Sequence, residues 1–170
     1  MGANDNAYTS FDSTVYYFDC TDNFIESLEI LLDFVTHPYF TQKSVDKEQG
    51  IIAQEIKMCE DNPYRCVYFN LLQAVYKNHP VRTEIAGTVD SIASIDAELL
   101  YRCYNTFYNP NNMVLAVAGN CRLEDVLACV DKMIKSSDDI GLVCKMPDEP
   151  NEVYKKKVTG VLSCGLLLKL

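Results

Sequence analysis

The start of the chain carries the pattern of a β-hairpin. Residues 6–20 are rich in Tyr, Thr, Val and Phe, the residue types that favour strands. The stretch Ser10-Phe11-Asp12-Ser13 interrupts them with turn-forming side chains. The spacing therefore predicts two strands joined by a tight turn.

Beyond residue 20, apolar residues recur at helical spacing in segments that Pro or Gly separates. Thr21 is positioned to cap the first helix, which ends before His37-Pro38, and Ser94 to cap a later one that Pro110 closes. Five helices are predicted, over residues 24–35, 44–60, 63–77, 95–107 and 123–134. Residues 113–118 read as a buried strand, 136–152 as a loop, and 153–170 could supply a last strand.

Strands mixed with helices indicate an α+β fold, with helices packed on a largely antiparallel sheet. A chain of 170 residues with 48% apolar content can bury a core of its own, so one domain is the expectation. No internal repeat divides it.

Composition narrows the functional classes. Lys and Arg total 15 against 24 Asp and Glu, and the net charge of −9 would repel a phosphate backbone, which excludes nucleic acid as an expected partner. No run of about 18 apolar residues could cross a bilayer, so no membrane association is expected. The eight cysteines include no CxxC pair and are expected to be free thiols in a reducing compartment. The sequence therefore predicts a soluble, cytoplasmic protein.

Two carboxylates in the second predicted helix are the main candidates for chemistry. Glu48 and Glu55 lie seven residues apart, close to two helical turns, so they share a face. On the helical wheel this arc also holds Ile51, Ile52, Met58 and Cys59. Carboxylates on a buried arc need an ion pair, a metal or a role as general acid and base. The alternative is exposure at the edge of the helix.

The two histidines do not complete such a site. His37 and His79 each precede a proline, and neither stands in HxxxH or HxxEH spacing. They are interpreted as loop residues.

Five collinear motifs nevertheless resemble a known family. They are NAYTSFDSTVYYF, HPYF, VDKEQGIIAQEI, HPV followed by IAGTVDSI, and YNPNNMVLAVAGN. Their order and gaps resemble the M16 zinc metallopeptidases, which are pitrilysin- and insulinase-like, and especially the bacterial branch similar to mitochondrial processing peptidase. The resemblance covers about residues 3–157, so 1–157 is expected to be a partial M16 N-terminal domain and 158–170 a tail.

The resemblance implies specific roles. Glu55 matches the third zinc ligand of the family, and Glu48 matches an acidic residue that orients the ligands. Asn6, Ala7, Tyr8 and Thr9 match the strand along which an extended peptide substrate pairs by backbone hydrogen bonds. The HxxEH motif, which supplies two histidine ligands and the general base, is absent from this sequence and is expected upstream of it.

The implied activity is zinc-dependent endopeptidase hydrolysis of extended peptides or unfolded polypeptides, with a second M16 half or partner subunit. This chain is expected to be an inactive fragment that by itself binds zinc weakly if at all, with no catalytic residue of its own. The alternative is a non-catalytic M16-like subunit that binds peptide or assembles with an active partner.

Overall fold

The computed structural model describes residues 2–138 and 141–150. Its longer elements are strands β1 (Asn4–Thr9) and β2 (Thr14–Asp19) and helices α1 (Phe24–Thr36), α2 (Gln42–Glu60), α3 (Pro63–Val75), α4 (Val89–Ile92), α5 (Ala97–Phe107) and α6 (Leu123–Met133). Single 3-10 turns cover Pro80–Arg82 and Pro110–Asn112. Residues 153–170, where a last strand was considered, lie outside the described residues.

Contacts divide the chain into two compact units. Among the described residues, the first contains 2–45, 96–138 and 141–143, and the second contains 46–95 and 144–150. The expected extent of the domain, residues 1–157 followed by a tail, stays a prediction.

The first unit is built on the predicted β-hairpin. β1 and β2 pair antiparallel from Asn4 opposite Asp19 to Thr9 opposite Thr14. The Ser10 amide donates to the Ser13 carbonyl at 2.8 Å, and the Ser10 hydroxyl donates to Asp12 Oδ1 at 2.7 Å. These bonds satisfy the polar groups of the turn, so the predicted hairpin is confirmed.

The core of this unit lies between α1 and α6. Leu28 and Leu32 of α1 meet Val126 and Cys129 of α6, and Phe18 of β2 packs against the same cluster. Burial of these side chains is the main stabilising contribution to the unit. Lys132 of α6 also donates to Glu29 of α1 at 2.6 Å.

A tyrosine cluster attaches the hairpin to α5. The Tyr16 and Tyr108 hydroxyls lie 2.7 Å apart, and the Tyr104 ring stacks on Tyr108. The Tyr104 hydroxyl donates to the Val35 carbonyl at 2.8 Å. Burial, followed by the hydrogen bond with Tyr108, raises the pKa of Tyr16 above its usual value, so this hydroxyl stays neutral.

The second unit contains α2 from Asp46 onward, α3, α4 and residues 144–150. The break between α2 and α3 falls at Asn62-Pro63, as predicted. Asn62 Oδ1 accepts from the Tyr64 and Arg65 amides at 3.0 and 3.2 Å, and Pro63 opens α3, where its missing N–H costs nothing.

Two predicted helix caps were wrong. Asn23, in the left-handed conformation, precedes α1, whereas the Thr21 hydroxyl donates to Asp22. Asp96 caps α5 by accepting from the Leu99 amide at 2.7 Å, and the Ser94 hydroxyl donates to Ser91. In both cases a second capping residue stands two positions further along, and composition alone does not choose between neighbours.

The predicted buried strand over residues 113–118 was also wrong. The segment has no helix or strand, and Val114 is 95% exposed. A strand needs a hydrogen-bonding neighbour, and within the described residues the sheet contains the two strands of the hairpin.

The α+β fold class is confirmed, because helices pack beside an antiparallel sheet.

Candidate functional site

Helix α2 carries both predicted acidic residues. Glu48 and Glu55 lie within Gln42–Glu60, so about 100° of rotation per residue brings them within about 20° of each other around the helix axis. That part of the prediction is confirmed.

The burial of this helix differs from the expectation. Val45 and Ile56 are its buried positions, with Gln49 half-buried on the same side. Glu48 and Glu55 are exposed, as are their neighbours Ile51 (49%) and Met58 (74%). Of the two interpretations of this arc, exposure therefore holds for both carboxylates, whereas Ile52 and Cys59 of the same predicted arc are half-buried. Apolar residues occupy more than one arc of α2, and the side that packs is the one that begins at Val45.

Hydrogen bonds hold helix α2 at its start and near its middle. At its start, the Thr41 amide donates to Ser44 Oγ and the Ser44 amide donates to Thr41 Oγ1, both at 3.1 Å. Further along, Gln49 Nε2 donates to the Ile92 and Ile95 carbonyls at 2.9 and 2.7 Å. Gln49 thereby bonds the last carbonyl of α4 and a carbonyl of the segment that follows it, and sets the rotation of α2 within the second unit.

Arg65, at the start of α3, forms an ion pair with Glu84. Its Nε donates to Glu84 Oε1 at 2.7 Å. That hydrogen bond raises the pKa of Arg65, and the charges of Cys59, Glu84 and Glu55 add to it. Arg65 is therefore paired with Glu84, and the Glu55 carboxylate is exposed.

The histidines belong to other local structures. His37 Nδ1 lies 3.0 Å from Asp33 at the end of α1. His79 Nδ1 accepts from the Val81 amide at 3.1 Å, and its ring packs against Tyr76. Both are local capping contacts, which agrees with the interpretation of these histidines as loop residues.

The described residues do not form a zinc site by themselves. Within residues 2–138 and 141–150, no group of three His, Cys, Asp or Glu side chains is placed to hold a metal ion. A catalytic zinc site uses three protein ligands. The donor set around Glu55 therefore does not fit zinc without further ligands.

Strand β1 exposes the second candidate site. The Ser10–Ser13 hydrogen bond is followed by the Thr9–Thr14 pair, whose side-chain oxygens lie 3.4 Å apart. Antiparallel pairs alternate between bonded and non-bonded, so Thr9 and Ala7 direct their backbone groups away from β2. In agreement, the Ala7 amide donates to Asn6 Oδ1 at 2.8 Å. Between them, Tyr8 is 57% exposed and contacts Tyr17 edge-on.

Sequence comparison identifies the family. Residues 1–89, more than half of the chain, match the family model described as Insulinase (Peptidase family M16). The chain belongs to the M16 peptidase family. Residues 94–161 of this M16 chain also match the model described as Peptidase M16 inactive domain.

The relatives of the M16 chain include bacterial and mitochondrial proteins. It is 52% identical over 130 residues to the uncharacterized zinc protease YmfH of Bacillus subtilis, covering 76% of this chain and 30% of YmfH. It is 34% identical over 134 residues to the mitochondrial-processing peptidase subunit beta of Caenorhabditis elegans, covering 78% of this chain and 29% of that subunit. The M16 chain thus spans about a third of the length of its relatives.

A solved structure supports the fold. An M16-like peptidase from Alicyclobacillus acidocaldarius superposes with a TM-score of 0.81 at 44% identity, covering 88% of this chain and 36% of that one. Among the helices that the structure describes, none is both long and apolar enough to cross a membrane.

Proposed function

We propose that this chain is a section of an M16 zinc-dependent endopeptidase that holds an extended peptide along the outer edge of β1. The observation that carries the proposal is the Ala7 amide, which is directed away from β2 and bonded to Asn6 Oδ1. An incoming strand can replace that side-chain oxygen with its own carbonyl and extend the sheet by one strand. The substrate class is peptide or unfolded polypeptide, since backbone pairing places few demands on side chains.

Glu55 is proposed as one carboxylate ligand of the zinc ion, and Glu48, on the same exposed face, as the acidic residue that orients the ligands. The relatives named zinc proteases support zinc as the metal. Because the described residues provide no ligand set of three, the remaining ligands in this proposal come from beyond them. We also propose that the protein is cytoplasmic and that it acts with a second M16 half or a partner subunit.

Backbone pairing along β1 is tested by titrating the ¹⁵N-labelled chain with a short, proline-free peptide of alternating Val and Thr. We expect the Ala7 and Thr9 amides to shift and the Tyr8 amide, directed toward β2, to change little. Ala7→Pro removes the outward donor and should abolish binding. Thr14→Pro removes an N–H from the outer edge of β2 instead and should leave binding intact, because edge strands tolerate proline where the N–H faces solvent.

Equal weakening by both proline variants, or shifts confined to β2, would contradict pairing along β1. Dispersed amide signals in each variant show that the hairpin is intact.

A second candidate is a non-catalytic M16-like subunit that binds peptide or assembles with an active partner. It is favoured by the absence of a three-residue ligand set among the described residues. Sequencing the DNA upstream of the first codon distinguishes the endopeptidase from the non-catalytic subunit. An in-frame HxxEH supports the endopeptidase, and in that longer product Glu55→Gln should abolish peptide hydrolysis while Glu60→Gln, at the end of the same helix, should not. A stop codon upstream supports the subunit.

A further inference from the structure

Three consecutive backbone amides in the second unit bind one carboxylate. The Lys77 amide donates to Glu149 Oε2 at 2.8 Å, and the Asn78 amide donates to Oε1 at 2.6 Å. The His79 amide donates to the same Oε1. Asn78 Nδ2 adds a bond of 2.8 Å to the Asp148 carbonyl. Residues some seventy positions apart in sequence are joined by four hydrogen bonds.

The loop that carries these amides has supporting contacts that do not involve Glu149. The Tyr76 amide closes α3 by donating to the Leu72 carbonyl, and Pro80 opens the following 3-10 turn. Between them, the three N–H groups converge on the one carboxylate of Glu149, which makes a concave anion-binding nest. His79 braces the loop, because its ring packs on Tyr76 while its Nδ1 accepts from Val81.

The end of α3 does not assist the carboxylate. A helix C-terminus presents partial negative charge, which repels an anion. The hydrogen bonds from the amides must therefore provide the attraction, and a carboxylate is the side chain able to accept several N–H bonds at once. The pKa of Glu149 reflects this balance. Burial raises it, but the bonds from Lys77, His79 and Asn78 outweigh that effect and lower it overall.

We propose that residues 77–79 form a carboxylate-binding loop and that Glu149 is its resident ligand, a clasp that fastens residues 144–150 to the end of α3. Residues 144–150 form no helix or strand, so side-chain anchors must hold them in place. The loop lies within the part of the chain matched by the first family model, and Glu149 lies within the part matched by the second. The clasp therefore ties these two regions together.

Amide hydrogen exchange of the full chain, read by NMR, tests the clasp directly. Glu149→Ala should speed exchange at Lys77, Asn78 and His79 by about tenfold or more, because hydrogen bonds to a charged acceptor are the stronger kind. Glu149→Gln keeps one acceptor oxygen, so its exchange rates should lie between those of the unsubstituted chain and those of Glu149→Ala. Asp148→Ala is the matched control, because it removes an adjacent carboxylate whose side chain takes no part and keeps the backbone carbonyl that Asn78 uses.

Trypsin supplies an independent readout at Lys145, which lies in the fastened segment. Cleavage there should be faster in Glu149→Ala than in Asp148→Ala. Exchange at the buried Ile56 should be the same in all three variants, which shows that the unit remains folded. Unchanged exchange at residues 77–79 in Glu149→Ala, or equal acceleration by Asp148→Ala, would overturn the clasp.

Discussion

Substitution of Gln49 tests whether its hydrogen bonds hold α2 in the rotation that exposes Glu48 and Glu55. Its Nε2 donates to the Ile92 and Ile95 carbonyls, whereas Gln54, on the same helix, is exposed. Gln49→Ala removes both bonds and leaves the two carbonyls without this donor. Gln54→Ala makes the same chemical change where no such contact exists.

The magnitude follows from the two bonds. Each half-buried hydrogen bond contributes about 0.5–1.5 kcal/mol net, so Gln49→Ala should lower the free energy of unfolding by about 1–3 kcal/mol. Alanine is the better helix former by a few tenths of a kcal/mol, and this gain applies equally to Gln54→Ala. The difference in free energy of unfolding between the two alanine variants therefore measures the two Gln49 hydrogen bonds, here called the clamp. Gln49→Glu should be worse than Gln49→Ala, because it places a carboxylate against two carbonyl oxygens.

Urea denaturation followed by circular dichroism measures these differences. The expected order of stability is Gln54→Ala, then Gln49→Ala, then Gln49→Glu. A difference below about 0.5 kcal/mol between the two alanine variants would refute the clamp, since a single ordinary hydrogen bond contributes at least that much. Nothing but propensity and packing would then set the rotation of α2.

Two further perturbations have clear signs. Asn62→Ala should lower the free energy of unfolding by about 1 kcal/mol, because it removes the side chain that caps α3. Asn62→Asp keeps the acceptor oxygen and should not lower it. Equal losses in the two variants, measured by urea denaturation, would contradict the cap. Folding lowers the pKa of Glu149 below its ordinary value of 4.5, so its contribution to stability is present above that pH and is lost as the pH falls through the lowered value. Exchange at the Asn78 amide should therefore accelerate in acid relative to the Ile56 amide, whereas in Glu149→Gln the ratio should be flat.

Local chemistry made much of the fold predictable. The hairpin was predicted because strand-favouring residues flank a turn-forming stretch, and the contacts of Ser10 with Asp12 and Ser13 show how that turn is stabilised. The boundary between α2 and α3 was predicted because Asn62-Pro63 both caps and begins a helix. Such signals depend on neighbours in sequence, which a sequence displays directly.

The misplaced features depend on tertiary partners. Glu48 and Glu55 were expected on a buried arc because Ile51 and Met58 share it, but a wheel with apolar residues on several arcs does not say which of them meets another element. Gln49 and Glu149 gave no signal, since their partners are backbone groups 43 to 72 residues away. The role of the Ala7 edge stays a prediction from the family resemblance, and the strand register indicates which of its backbone groups are directed away from β2.

The exposed apolar segment Met113–Ala118 has a consequence for handling the isolated chain. It reads M-V-L-A-V-A, six residues with no charge and no proline, and Val114 is almost entirely in water. Short segments of this composition stack between molecules into cross-β ribbons when no neighbour covers them. At the concentrations used for NMR or crystallisation, this stretch is where aggregation should begin, and a lysine at position 114 would act as a gatekeeper against it.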